Sequence, residues 1–163
     1  MPFSAAVLTT SDKGSRGERE DTSGAVIKDL LASIGAEIAR YEVIPDDAER
    51  ISEHLRRWAD GGSVRLIVTT GGTGLGPRDV TPQATLAVLD YEIPGIAEAM
   101  RSEGLKHTPM SMISRAVAGV RGKTLIVNLP GSPKGVEENL SVVLPVLEHA
   151  IELISGEDSP HQR

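Results

Sequence analysis

The amino-acid sequence predicts an α/β domain of three layers: a mostly parallel sheet flanked by helices, with one short antiparallel hairpin. Three observations carry that prediction. Apolar β-rich runs alternate along the chain with helical patterns. The run Arg65–Thr70 (RLIVTT) is continuously apolar, as in a strand covered on both faces. Two apolar runs close around Arg121-Gly122-Lys123, as in a hairpin. A chain of 163 residues suits a single domain, expected over residues 1–156 with a polar tail at 157–163. With four aromatic residues, one Trp, two Tyr and one Phe, the core must be aliphatic.

In chain order, Phe3–Thr10 reads as a first strand and Ser11–Asp21 as a polar loop. The next helix carries Ile27, Leu30, Leu31 and Ile34 on one face, with Gly35 as its C-cap and Asp21 or Thr22 as its N-cap. Glu37–Ile44 reads as a strand. Asp46–Asp60 reads as a helix with Ile51, Leu55, Trp58 and Ala59 turned inward. After Arg65–Thr70 comes a glycine-rich loop, Gly71–Asp79, then Thr81 as N-cap and Pro82 as N1 of another helix. Pro94 opens a helix through Leu105, and Lys106–Ser114 is turn-rich. Arg115–Val120 and Thr124–Leu129 form the hairpin. The final helix starts near Ser132-Pro133 and buries Val136, Leu140, Val143, Leu144, Leu147, Ile151 and Ile154. Pro145 is expected to kink it, and the polar stretch Gly156–Arg163 to fray.

Composition removes several functions. No cysteine means no thiol nucleophile, disulfide or thiolate metal site. A formal charge of −6 argues against a broad nucleic-acid-binding face. Apolar runs fall short of the ~20 residues needed to span a bilayer. The N-terminal stretch MPFSAAVLTTSDKG lacks the basic region of a signal peptide. A cytoplasmic protein with neither nucleic-acid nor membrane partners is expected. His54, His107, His149 and His161 lack metal-ligand spacing, and His54 and His149 read as solvated helix positions. Ser11, Ser111 and Ser114 lack the nucleophile-elbow context.

What remains is three loops after apolar strands, where ligands sit in such folds: Ser11–Asp21, Gly71–Asp79 and Pro130–Lys134. Gly71, Gly72, Gly74 and Gly76 open the backbone of the second toward a ligand. It is no Walker A loop, because Pro77-Arg78 follows Gly76. In the third, Ser132 as N-cap and Pro133 as N1 leave a helix start that favours anions, with Lys134 adding charge. Asp46, with Glu49 three residues on, fits a capping-box N-cap. Asp79 also precedes a helix. The residues alone leave capping and chemistry open for both.

Four segments together resemble the MogA/MoaB family of molybdenum-cofactor biosynthesis: Ser11-Asp12-Lys13-Gly14, IPDD (Ile44–Asp47), TTGGTG…RDVTP (Thr69–Pro82) and NLPGSP (Asn128–Pro133). The resemblance covers about Phe3 to Ile154. It implies a compact α/β fold that forms a homotrimer. It also implies a molybdopterin adenylyltransferase: ATP and molybdopterin give adenylyl-molybdopterin and pyrophosphate, with Mg²⁺. Asp46 and Asp79 match the family's two important aspartates and are expected to be catalytic, holding Mg²⁺ rather than accepting protons. Expected substrate contacts are Ser11, Asp12, Gly71, Gly72, Thr73, Gly74, Arg78, Ser111, Ser114, Asn128, Pro130, Gly131, Ser132 and Lys134. Lys13 or Arg16 would add charge. A downstream molybdenum-insertion protein is an expected partner. Two other functions compete: a non-catalytic molybdopterin- or nucleotide-binding module, and a different nucleotidyl or phosphoryl transferase.

Overall fold

Period-two alternation divides the strand residues between two apolar layers. The computed structural model describes residues 2–156; the expected tail at 157–163, with His161, lies outside them. The elements run β1 (Phe3–Thr10), α1 (Asp12–Ser15), α2 (Thr22–Ala32), β2 (Ala36–Ile44), α3 (Ala48–Asp60), β3 (Leu66–Thr70), α4 (Thr81–Leu86), β4 (Tyr91–Glu92), α5 (Pro94–Gly104), β5 (Ala118–Arg121), β6 (Thr124–Leu129) and α6 (Pro133–Ser155), with a 3-10 turn at Pro109–Ile113. One six-stranded sheet has the order β2-β1-β3-β6-β5-β4. β2, β1, β3 and β6 are parallel, while β5 runs antiparallel to both β6 and β4.

On one face Ala5, Val7, Leu66, Val68, Leu125 and Val127 pack under α2, α5 and α6, whose Ile27, Leu31, Met100, Val136 and Leu140 are fully or almost fully buried. On the other, Ala6, Leu8, Ile67 and Ile126 pack under Ile51, Leu55 and Trp58 of α3 and Ala84 of α4. The predicted three-layer domain with a short antiparallel hairpin is the observed one. Because α2 leaves β1 on one face and α4 leaves β3 on the other, the chain parts between adjacent strands there. A crevice at the carboxyl ends follows.

Several local expectations are corrected. Asp47, not Asp46, caps α3, its carboxylate accepting from the Arg50 N–H at 3.0 Å. Thr81 does not cap α4: it lies within the helix, Val80 takes the cap position and no side-chain cap bond forms. Of the two caps expected for α2, Asp21 rather than Thr22 takes the position, through the Gly24 N–H. The Ser11–Asp21 loop contains the α1 turn, capped by Ser11. The hairpin strand begins at Ala118 rather than Arg115: the Arg115 N–H turns to the Thr73 carbonyl of the glycine-rich loop, and the Val117 N–H donates to the Asn128 side chain rather than to a strand carbonyl. β4 has only two residues, too few to show alternation. His54 is buried rather than solvated, packed edge-on against Trp58 and bonded to Glu42 and the Arg50 carbonyl.

Candidate functional site

Adjacent threonine pairs end two neighbouring parallel strands, Thr9-Thr10 on β1 and Thr69-Thr70 on β3. Hydroxyls from both pairs hold the segments that follow the strand ends. Thr70 Oγ1 donates to the Pro130 carbonyl at 2.7 Å, and Thr10 Oγ1 lies 3.1 Å from Thr81 Oγ1. Between these turns opens a cleft of about 520 Å³. Asp46, Asp79, Ser11, Gly71, Gly72, Gly131 and Ser132 all line it. The structure thus gathers residues from the three loops and from the β2–α3 junction on one concavity.

Backbone geometry explains the paired glycines. Gly71 has φ 99° and Gly72 φ 68°, conformations that side chains disfavour. A Cβ on Gly71 would collide with the Thr10 carbonyl, and one on Gly72 with Thr81 Oγ1. The tight turn brings Gly72 beside Asp46, whose Oδ1 would lie 3.3 Å from that added Cβ.

Asp46 is half-buried and exchanges two hydrogen bonds with Asp12: each backbone N–H donates to the other's carboxylate at 3.1 Å. Desolvation pushes the Asp46 carboxyl above the usual carboxylate range, and the negative charges of Asp12 and Asp79 add to the shift. The Asp12 carboxyl moves the other way, lowered chiefly by its hydrogen bonds from Arg78. Arg78 Nε and Nη2 reach it at 3.1 and 3.0 Å. Asp79 Oδ2 accepts the Gly76 N–H at 2.9 Å, which aligns the carboxylate with its own loop.

The remaining expected contacts take other positions. Arg78 and Asp12 pair with each other, and neither lines the cleft. Asn128 is fully buried; its amide donates to Thr69 and Thr85 hydroxyls at 2.9 and 3.0 Å, and it does not line the cleft. Thr73 is buried within the loop, and neither it nor Gly74 lines the cleft. Ser111 Oγ donates to the Arg101 carbonyl at 2.8 Å, and Ser114 Oγ accepts the Ala116 N–H at 3.3 Å; neither lines the cleft. Pro130 contributes its carbonyl to Thr70. Lys134 lines a separate groove with Glu103, His107 and Glu138. Lys13 does not line the cleft, and Arg16 pairs with Glu18 at 3.0 Å.

Sequence reasoning missed several cleft residues: Thr10, Thr70, Arg19, Asp21 and Ser23. The repeated Thr-Thr at two strand ends was the available signal for the first pair. Ser23 donates to the Gly131 carbonyl at 2.6 Å, joining α2 to the Pro130–Lys134 turn. Asp21 Oδ2 accepts from Thr9 at 2.7 Å and also from Tyr41. No spacing rule connects those residues before folding does.

Comparison with known proteins follows the same motifs. The family model described as "Probable molybdopterin binding domain" matches residues 6–149. A Helicobacter pylori protein named molybdopterin adenylyltransferase is 41% identical over 152 residues, covering 92% of this chain and 86% of that protein. Gephyrin of Dictyostelium discoideum is 46% identical over 92% of this chain, which spans only 22% of the longer protein. The crystal structure of the molybdopterin biosynthesis enzyme MoaB from Thermus thermophilus superposes with a TM-score of 0.90 at 56% identity, covering 95% of this chain and 98% of that one. Sequence motifs, sheet order and these similarities agree, and the chain belongs to the MogA/MoaB family of molybdopterin-binding domains.

Proposed function

We propose that this protein is a molybdopterin adenylyltransferase, transferring AMP from ATP to the terminal phosphate of molybdopterin. The observation that carries this reading is the convergence of Asp46 and Asp79 on one cleft, beside the Gly71-Gly72 and Gly131-Ser132 turns. The name of the Helicobacter pylori relative supports it.

In the reaction an oxygen of the molybdopterin phosphate bonds to the α-phosphorus of ATP. The bond from that phosphorus to the pyrophosphate oxygen breaks, and the electron pair leaves with pyrophosphate. A phosphate monoester, with a second pKa of about 6, is mostly a dianion at neutral pH, so no strong base is required. The task is to hold two polyanions in line and offset their charge. The glycine turns and the start of α6 suit phosphate oxygens. Arg19 is the cationic residue among those described as lining the cleft.

Asp46 and Asp79 would hold Mg²⁺, which when bound offsets charge on the departing pyrophosphate. The charge pattern fits such an ion: desolvation and neighbouring carboxylates already disfavour an ionised Asp46. No cluster of three His, Cys, Asp or Glu ligands exists among the described residues. Mg²⁺ commonly takes one or two carboxylates and completes its shell with phosphate oxygens and water.

A homotrimer acting in the cytoplasm and passing product to a molybdenum-insertion protein completes the proposal. Exposed Met110, Met112 and Ile113 offer apolar surface for protomer contacts, and light scattering would measure the mass. No helix among the described residues is long and apolar enough to cross a membrane. The deciding experiment incubates the protein with molybdopterin, ATP and Mg²⁺ and weighs the products. Adenylyl-molybdopterin with pyrophosphate is expected; intact substrates would favour a binding module.

A further inference from the structure

Outside the cleft, one arginine makes four hydrogen bonds that all end on the glycine-rich loop or the helix behind it. Arg115 Nε donates to the Gly74 carbonyl at 2.8 Å, Nη2 to the Asp79 carbonyl at 2.6 Å and Nη1 to Gln83 Oε1 at 3.0 Å. Its backbone N–H donates to the Thr73 carbonyl at 2.9 Å. The planar guanidinium fork thus spans the middle of the loop, its end and α4, a reach that an ammonium group lacks.

Arg115 is itself held from α5. Arg101 Nη1 donates to the carbonyls on either side of it, Ser114 at 3.4 Å and Ala116 at 2.9 Å. A loop with glycines at 71, 72, 74 and 76 has much conformational freedom to lose. Within it the Asp79 carboxylate has one backbone bond, from Gly76.

We propose that Arg115 is a positioning residue, clamping the Gly71–Asp79 loop so that the Asp79 carboxylate faces the cleft. This rests on the adenylyl-transfer reading. Arg115 does not line the cleft, so its effect passes through the loop carbonyls rather than through substrate.

The test compares wild type, Arg115→Lys, Arg115→Ala and Gln83→Ala by steady-state AMP transfer and by hydrogen exchange at the Gly76 and Asp79 amides. Arg115→Lys is expected to lower kcat by ~10- to 100-fold, as small misplacements near reacting groups do, with KM for both substrates within about threefold. Exchange at both amides should accelerate on the order of tenfold as the loop opens. Gln83→Ala, which leaves both loop carbonyls clamped, should keep kcat within about threefold. Should Arg115→Ala fail to fold, Arg115→Lys decides. An Arg115→Lys variant with wild-type kcat and wild-type exchange overturns the clamp, as does a change confined to KM. If wild type forms no product, the activity reading falls and exchange alone judges the clamp: acceleration supports it, wild-type exchange overturns it.

Discussion

The β2–α3 and β3–α4 junctions each carry an aspartate between a parallel strand and a helix, and they position it by different means. The first is only residues 45–47. Two consecutive aspartates divide the work there: Asp47 caps α3 and leaves Asp46 to face the cleft, bonded to the backbone of Asp12. The second runs through residues 71–80 and has a single aspartate. Its helix forgoes a side-chain cap, and Asp79 bonds within the loop to Gly76. Helix capping and site chemistry are therefore separable demands on a carboxylate. Where one residue must choose, this fold gives it to the cleft and leaves the cap unfilled.

Substitutions at the two junctions test that division, beginning with the strongest. If both aspartates hold Mg²⁺ as proposed, Asp79→Ala and Asp46→Asn should each lower AMP transfer by ~10²-fold or more, the loss expected when charge stabilisation worth several kcal/mol goes. Asn keeps a side-chain oxygen that can accept the Asp12 N–H, so full activity in Asp46→Asn, read as pyrophosphate release, would reject a chemical role for that carboxylate. Gly72→Ala comes next. Its φ of 68° and the clash with Thr81 should cost about 1–3 kcal/mol in denaturant unfolding; wild-type stability would contradict the tight turn. Asp47→Ala should cost about 0.5–2 kcal/mol as a lost cap, while AMP transfer per folded molecule stays unchanged. A large activity loss there would merge the two duties again.

The smallest effect is a pH dependence. Burial and the nearby carboxylates raise the Asp46 carboxyl in the folded state. The native protein then binds that proton more tightly than the unfolded chain, so its stability falls as pH rises through the carboxylate range. Asp46→Asn lifts this penalty. Its Tm should exceed that of wild type at neutral pH, and the gain should vanish below about pH 4, under the ordinary Asp value. A gain that grows on acidification would reverse the sign and refute the argument.

Much of the architecture was legible because periodicity reports burial directly. Ala5, Val7, Ala6 and Leu8 alternate between the two layers as a doubly covered strand must. The motif loops were legible too, since glycine and proline restrict local backbone. Misplacements occurred where long-range bonds override local preference. Asn128 belongs to a motif, yet its side chain satisfies buried hydroxyls. His54 is a polar residue on an amphipathic helix but is held inside by Glu42 of β2 and packs against Trp58. Thr81 has the chemistry of a cap and instead meets Thr10 across the strand ends.

The sequence by itself determined an aliphatic three-layer α/β chain without thiol chemistry and, through its motifs, the family and the two aspartates. Side-chain periodicity and backbone restriction are properties of short segments, which is why they can be read before folding. Tertiary structure decided which motif residues share the cleft and which cations reach it: Arg19 lines it, while Arg78 turns to Asp12 and Lys134 to a separate groove. It also decided that Arg115 reaches the Gly74 and Asp79 carbonyls, about forty positions away in the chain. Those outcomes depend on directed hydrogen bonds between distant segments, which exist only once the hydrophobic layers have brought the strand ends together.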